Sequence, residues 1–210
     1  SGKADDIISK AHVIVDFTSP LATISNIQKA SLSKTGYVVG TTGMTKKQLS
    51  TIRSYSKNIP ILMSSNMSLG VNLLFNIVQQ TASVLKSSEY DIEINETHHK
   101  YKVDAPSGTA LSLGEYAAVG RNTNINKTKV MDRTKKNTKR NEGDIGFSVI
   151  RGGEIAGEHT VSFISANDRI DLIHKANNRS IFVSGAIDAA FFISNKKKGF
   201  FDMKDLLFKK

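Results

Sequence analysis

The chain contains no cysteine. Disulfides, thiolate metal sites and cysteine nucleophiles are excluded together, so any catalysis falls to His, Lys, Asp, Glu or hydroxyl groups. The same absence fits a reducing compartment. No apolar run approaches the roughly 20 residues that a membrane-spanning helix needs. The opening SGKADDIISKAHVIVDF has neither the basic region nor the cleavage pattern of a signal peptide. The expectation is a soluble, cytoplasmic protein with no membrane partner. Also missing is a G-x-G-x-x-G turn with an acidic residue about 20 positions beyond it, the fingerprint of a dinucleotide cradle.

What is present suffices for one large domain or two small ones: 210 residues, 39% of them hydrophobic. The formal net charge of +10 invites a phosphate-binding or nucleic-acid reading. Much of that excess, however, sits in DRTKKNTKRNEGD (132–144), in NKKKG and in the terminal Lys pair, which read as a solvated loop and a tail. No nucleic-acid partner is expected.

HVIVDFT (12–18), YVVGTT (37–42) and PILMSSN (60–66) are short apolar runs that stop at small polar residues, the pattern of buried parallel strands. Two helices are predicted between them. One has Ser19 as N-cap and Pro20 at its first position, and the other has Thr45 as N-cap. This alternation predicts a partial doubly wound, Rossmann-like parallel sheet, with ligands at the carboxyl ends of its strands. Those ends read DFTSP, GTTG and SSNMS, small and hydroxyl-rich as a cofactor loop would be, although ordinary turns use the same residues.

A helix follows with Val71, Leu74, Phe75, Val78, Ala82 and Leu85 on one face. DIEINET, GFSVIRG, HTVSFIS and RIDLIHKA then alternate apolar and polar residues, which predicts a second, mainly antiparallel sheet with TALSLGEYAAVGR as a helix beside it. SIFVSGAIDAAFFIS (180–194) returns to helix. The chain is therefore α/β, with an incomplete dinucleotide-binding domain in 1–66 and 180–210 and an α+β substrate-binding and oligomerisation domain in 67–179.

ETHHKYKVDAPSGTA (96–110) concentrates the chemistry. His98 and His99 are adjacent, so in an extended segment they face opposite sides and make a poor metal pair; no metal site is expected. Ser107 is a predicted N-cap, and the amides of Gly108 and Thr109 would lie free in the first helical turn, ready for a carboxylate or phosphate. Lys102 and an imidazole beside that turn would supply positive charge and a proton. A basic strand exit followed by a plain cap would use the same residues.

The run from Glu96 to Ala110, E-x-H-H-x-x-K-x-D-A-P-S-G-T-A, closely resembles the motif of the dihydrodipicolinate reductase family. VDFTSP, VVGTTG, NMSLGVN, GEHTVSF, HKANNR and GFFDMKDLL agree in order, so the resemblance covers nearly the whole chain. It implies reduction of 4-hydroxy-tetrahydrodipicolinate, or its dehydrated form, by NADH or NADPH, in lysine and diaminopimelate biosynthesis. It also implies a homotetramer. His98 is similar to the family's acid/base histidine and Lys102 to its proton-donating lysine. His99, Lys102, Ser107, Gly108 and Thr109 would bind substrate. Phe17, Gly40, Thr41, Thr42, Ser64, Ser65, Asn66, Met67 and Arg179 would meet the cofactor.

Some features depart from the family pattern. Tyr101 stands where many members have another histidine, and Ser19 where they often have Arg. The family's opening strand and G-x-x-G-x-M-G turn do not occur in these residues, and with them go the side chains that distinguish NADH from NADPH. The expectation for the 210 residues alone is dicarboxylate binding with weak dinucleotide binding and little turnover. The alternative reading is a non-catalytic dicarboxylate-binding or oligomer-forming remnant.

Overall fold

Three apolar runs become parallel strands, β1 (Val13–Asp16), β2 (Gly36–Val39) and β3 (Pro60–Met63), in the register Val15–Val38 and Val38–Leu62. The computed structural model describes residues 7–134 and 139–208. A fourth parallel strand, β9 (Gly199–Phe201), pairs with β3. It is three residues long, too short for a periodic signal to announce it.

Helices α1 (Pro20–Leu32) and α2 (Lys46–Tyr55) cover one face of this sheet, where Ile27 and Ile52 join a core with Tyr37, Val39 and Ile61. On the other face, α6 (Ser180–Ser194) and α7 (Met203–Leu207) pack Ala186, Ala189, Ile193 and Leu206 against Val38 and Leu62. Coverage on both faces explains why the strands read as apolar runs without alternation. Thr45 caps α2 in a reciprocal box with Gln48. Ser19 occupies the cap position of α1, but its hydroxyl makes no capping hydrogen bond; Pro20, with its fixed φ, opens that helix.

The chain divides into two compact units, Ser1–Asn72 with Ser180–Lys210, and Leu73–Arg179; the division falls inside α3 (Leu69–Val84). Val71, Leu74, Phe75, Val78 and Ala82 are buried, whereas Leu85 falls after the last helical residue. The second unit holds a five-stranded sheet built on β4 (Asp91–His98), in the order β5–β6–β4–β7–β8. The remaining strands are β5 (Lys129–Val130), β6 (Ile145–Arg151), β7 (Glu158–Ile164) and β8 (Arg169–Lys175).

This sheet is mixed: β7 runs antiparallel to both β4 and β8, but β6 runs parallel to β4 and to β5. Alternation reports a half-covered strand and not its direction. Between β4 and β6 the chain passes through α4 (Gly108–Gly120) and the short α5 (Ile125–Thr128), and such a crossover returns the strand parallel. Among the described residues, no helix is long and apolar enough to cross a membrane.

Candidate active site

Strand β4 buries every second side chain, so Ile92, Ile94, Glu96 and His98 share the covered face. The first two join the core, and the last two carry a carboxylate and an imidazole to its edge. Helix α4 is pressed against the same face. A Cβ at Gly114 would lie 2.5 Å from Phe147 Cζ, and one at Gly120 would overlap the carbonyl of Gln79 in α3. Phe75 of α3 stacks on Tyr116 of α4, with ring centroids 4.9 Å apart. Close packing thus sets the start of α4 beside the end of β4. Ser107 is its N-cap and accepts from the Ala110 amide at 3.2 Å.

Glu96 is the centre of the cluster, only 1% exposed. Arg151 grips it bidentately, Nη1 to Oε2 at 2.8 Å and Nη2 to Oε1 at 2.7 Å. The Ser107 amide donates to Oε1 at 2.9 Å, and His98 Nδ1 meets Oε2 at 2.5 Å. Burial acts to raise the Glu96 pKa, but the hydrogen bonds from Arg151, His98 and Ser107 outweigh it and hold the pKa below the ordinary value. Arg151 Nη2 also donates to the carbonyl of Asp104 at 2.7 Å, tying the following loop to the same carboxylate.

Burial lowers the His98 pKa, with Glu96 opposing and Lys102 and Arg151 assisting. The ring meets that of His159 edge-on, with centroids 5.2 Å apart. His159 is buried and neutral: desolvation, with the charge of His98 adding, takes its pKa to about 4. Its Nε2 lies 3.1 Å from Ser107 Oγ. Among the described residues, no three His, Asp or Glu side chains form a group able to hold a metal ion.

Lys102 Nζ lies 2.7 Å from Asp104 Oδ1, and the Gly108 main chain also hydrogen-bonds this carboxylate. Together, Lys102 first, they hold the Asp104 pKa below its ordinary value. The space that a side chain at Gly108 would fill is open. His99 leaves the strand, its amide donating to the Ile155 carbonyl at 2.8 Å, and its Nδ1 is buried without a hydrogen-bond partner. The structure therefore gathers His98, His99, Lys102, Ser107, Gly108 and Thr109 where β4 ends and α4 begins.

In the first unit, the parallel sheet gathers Phe17, Gly40, Thr41, Thr42 and the run from Ser64 to Met67 at the carboxyl ends of β1, β2 and β3; Arg179 is not among them. Phe17 is 55% exposed and its ring lies over Gly40, where any Cβ would overlap it. Thr42 and Ser65 are exposed. Ser64 Oγ donates to the Asn66 carbonyl at 2.7 Å, and Asn66 Oδ1 accepts from the Ser68 amide at 2.9 Å.

Two of the predicted residues turn inwards. The Thr41 side chain is buried against Asp16 and accepts from Thr23 Oγ1 at 2.9 Å. Met67 is 2% exposed and belongs to the core with Ala186, and a Cβ at Gly185 would overlap its carbonyl. Local composition cannot separate a loop's inner side chains from its outer ones. Arg179 is exposed in the turn before α6.

Asp16 at the end of β1 organises these loops. Tyr37 Oη donates to Oδ2 at 2.5 Å, and Thr18 donates to Oδ1 from its amide at 2.8 Å and its hydroxyl at 2.6 Å. Burial works to raise the Asp16 pKa, yet hydrogen bonds from Thr18 and Tyr37 bring it below the ordinary value.

Asp16, Glu96, Arg151 and His159 carry no role in the sequence motifs above. A Glu two positions before His on a predicted strand was the available sign, since such residues share a face. Arg151 and His159 reach the cluster through the pairs His98–Arg151 and Glu96–His159, a register that no local spacing encodes.

The family model for the dihydrodipicolinate reductase N-terminus matches residues 1–67, and that for its C-terminus matches 70–207. The 4-hydroxy-tetrahydrodipicolinate reductase of Ralstonia nicotianae is 42% identical over 200 residues, covering 95% of this chain and 75% of the relative. That of Agrobacterium fabrum is 46% identical over 197 residues, covering 94% and 72%. The solved dipicolinate-bound dihydrodipicolinate reductase from Paenisporosarcina sp. TG-14 superposes with a TM-score of 0.74 at 25% identity, over 94% of this chain and 75% of that one. With the two family models together matching residues 1–67 and 70–207, the chain belongs to the dihydrodipicolinate reductase family.

Proposed function

We propose that this chain reduces 4-hydroxy-tetrahydrodipicolinate, or the dihydrodipicolinate formed from it by loss of water, to tetrahydrodipicolinate in the lysine and diaminopimelate pathway. The observation that carries the reading is the fate of Asp104: its carboxylate is taken up by the Lys102 ammonium and the Gly108 main chain at the start of α4. A corner that captures a carboxylate of its own suits a dicarboxylate substrate. Lys102, Gly108 and Thr109 hold one carboxylate, and His99, with a buried unpaired Nδ1, is a further partner for the substrate. Lys102 supplies the proton that reduction consumes, and His98 acts as acid/base beside it.

The first unit suits NADH or NADPH, because its parallel sheet ends in hydroxyl-bearing loops and Gly40 stays free of a Cβ beneath the exposed Phe17 ring. When bound, the nicotinamide supplies the hydride. Phe17, Gly40, Thr42, Ser64, Ser65 and Asn66 orient it, with Arg179 as a further contact. The reaction is assigned to the cytoplasm. The working form is a homotetramer, which the uncovered face of the second sheet supports: Ile150 and Ile173 there are 51% and 54% exposed. Sedimentation at micromolar concentration tests that assembly.

The test of function is NADH and NADPH oxidation with freshly condensed substrate, alongside calorimetry with pyridine-2,6-dicarboxylate. His98→Gln is expected to lower kcat by about 10²- to 10⁴-fold with cofactor affinity unchanged. Lys102→Ala should damage both KM for the dicarboxylate and kcat. Dipicolinate binding without any dinucleotide oxidation would favour a non-catalytic binder, and wild-type turnover in His98→Gln would remove that residue from the mechanism.

A further inference from the structure

Four hydrogen bonds converge on the two oxygens of Glu96: two from Arg151, one from the Ser107 amide and one shared with His98 Nδ1. Arg151 and the amide can only donate. Oε1 already accepts from both and Oε2 from Arg151, and the carboxyl is held ionised, so it has no proton to offer the imidazole. The 2.5 Å contact to His98 must then be a donation from Nδ1–H. A glutamine in the same place would turn an NH2 group towards two donors whichever way it faced.

The opposite side of the ring is kept clear. Gly157 stands one step beyond the Thr97–Glu158 pair of the β4–β7 ladder and so lies opposite His98. A Cβ there would come within 2.9 Å of His98 Nε2. The groups that face the ring are Glu96 on its own strand, Arg151 from β6, His159 from β7 and Lys102 from the loop. Only Glu96 is an anion, and it is spent on Nδ1.

We infer that Glu96, clamped by Arg151, is a positioning residue that fixes His98 as the Nδ1–H tautomer and leaves Nε2 as its basic atom, in the space that Gly157 keeps open. At neutral pH the resting His98 is thus a proton acceptor at Nε2, and Lys102 is the nearby cation with a proton to give. The two residues of the motif are not interchangeable donors. Because Ser107 and the Asp104 carbonyl hang from the same Glu96–Arg151 pair, one carboxylate aligns the imidazole with the start of α4.

The inference rests on the proposed role of His98 for its catalytic meaning, but the tautomer can be measured apart from activity. In the purified wild-type protein with isotope-labelled histidine nitrogens, the signals missing from the His98→Gln spectrum belong to His98. Above its pKa, Nδ1 should show the protonated, pyrrole-type shift and Nε2 the unprotonated, pyridine-type shift. The reverse assignment, or an equal mixture, overturns the inference whatever the kinetics show. Glu96→Gln should lower kcat by about 10²-fold, with KM for the dicarboxylate and for NADH within about threefold, and should mix the two tautomers. Unchanged kcat would overturn the positioning role. If Glu96→Gln does not fold, the wild-type spectrum still decides. Loss of activity in Glu96→Gln together with full activity in His98→Gln would instead strike the functional reading and leave the tautomer standing.

Discussion

Each unit places one buried carboxylate near the carboxyl end of a strand, Asp16 on β1 and Glu96 on β4, and each collects one donor from two positions on and others from elements distant in sequence. Their company differs. Asp16 gathers the Tyr37 phenol, the Thr18 hydroxyl and amide, and the buried Thr41. Its partners are neutral and unreactive, so what Asp16 fixes is the path of the backbone beside Phe17 and Gly40. Glu96 gathers a guanidinium, an imidazole and a helix-start amide, so what it fixes is the protonation and aim of a reactive group. The same buried anion shapes a binding surface in one case and tunes a base in the other, according to whether its donors can themselves exchange protons.

The comparison breaks most visibly at Asp16. Asp16→Asn turns an amide NH2 towards donors and leaves a buried group unpaired, which should destabilise the first unit by about 1–3 kcal/mol. KM for NADH should rise by about tenfold while dipicolinate affinity in the second unit stays within about twofold. Thermal unfolding, steady-state kinetics and calorimetry read these three outcomes. A fall in kcat with unchanged KM for NADH would mean that Asp16 acts on chemistry as Glu96 does, and the contrast would collapse.

A smaller effect separates the imidazoles. His159 has a folded-state pKa of about 4, below the unfolded value of 6.5, so between those limits the unfolded chain binds more protons than the folded one. Its contribution to stability is therefore complete above pH 6.5 and is lost as pH falls towards 4. At most about 4 kcal/mol is involved, at roughly 1.4 kcal/mol per pKa unit. His159→Gln should flatten the stability profile through that window, as measured by denaturant unfolding at a series of pH values. An unchanged slope would assign the acid sensitivity to other groups, since Asp16 and Glu96, with lowered pKa values, also lose their contributions as pH falls, at the acidic end of the range.

What was legible in the sequence follows from the range of the physics involved. Strands β1 to β3, α2 with its Thr45 cap and the buried face of α3 up to Ala82 are written in local periodicity. The cluster of His98, Lys102 and Ser107 was legible because it is contiguous. The direction of β6, the strand β9 and the partnership of Glu96 with Arg151 depend on pairing across the chain. The inward turn of Thr41 and Met67 depends on packing, which loop composition does not carry.

The smallest expected effect lies at the basic loop of residues 132–144. Residues 135–138 lie outside the described ones, and ion pairs hold the loop on either side of them. Arg133 reaches Glu93 at 2.9 Å, and Arg140 binds both Glu93 and Asp91. Both carboxylates stand at the opening end of β4, whose other end carries His98. At about 3.3 Å per residue, Glu93 and His98 are roughly 16 Å apart along the strand. The clamp thus anchors the described ends of the loop away from the carboxylate site. Changing Lys135, Lys136 and Lys139 to Gln should alter solubility while leaving stability within about 0.5 kcal/mol and KM for the dicarboxylate unchanged. Parallel kinetics on the triple variant and on Lys102→Ala would decide the matter. A loss of substrate affinity matching that of Lys102→Ala would mean that the loop's charge reaches the site despite its anchor. Arg133→Gln and Arg140→Gln would then be the variants to separate the charge of the loop from its attachment to Glu93.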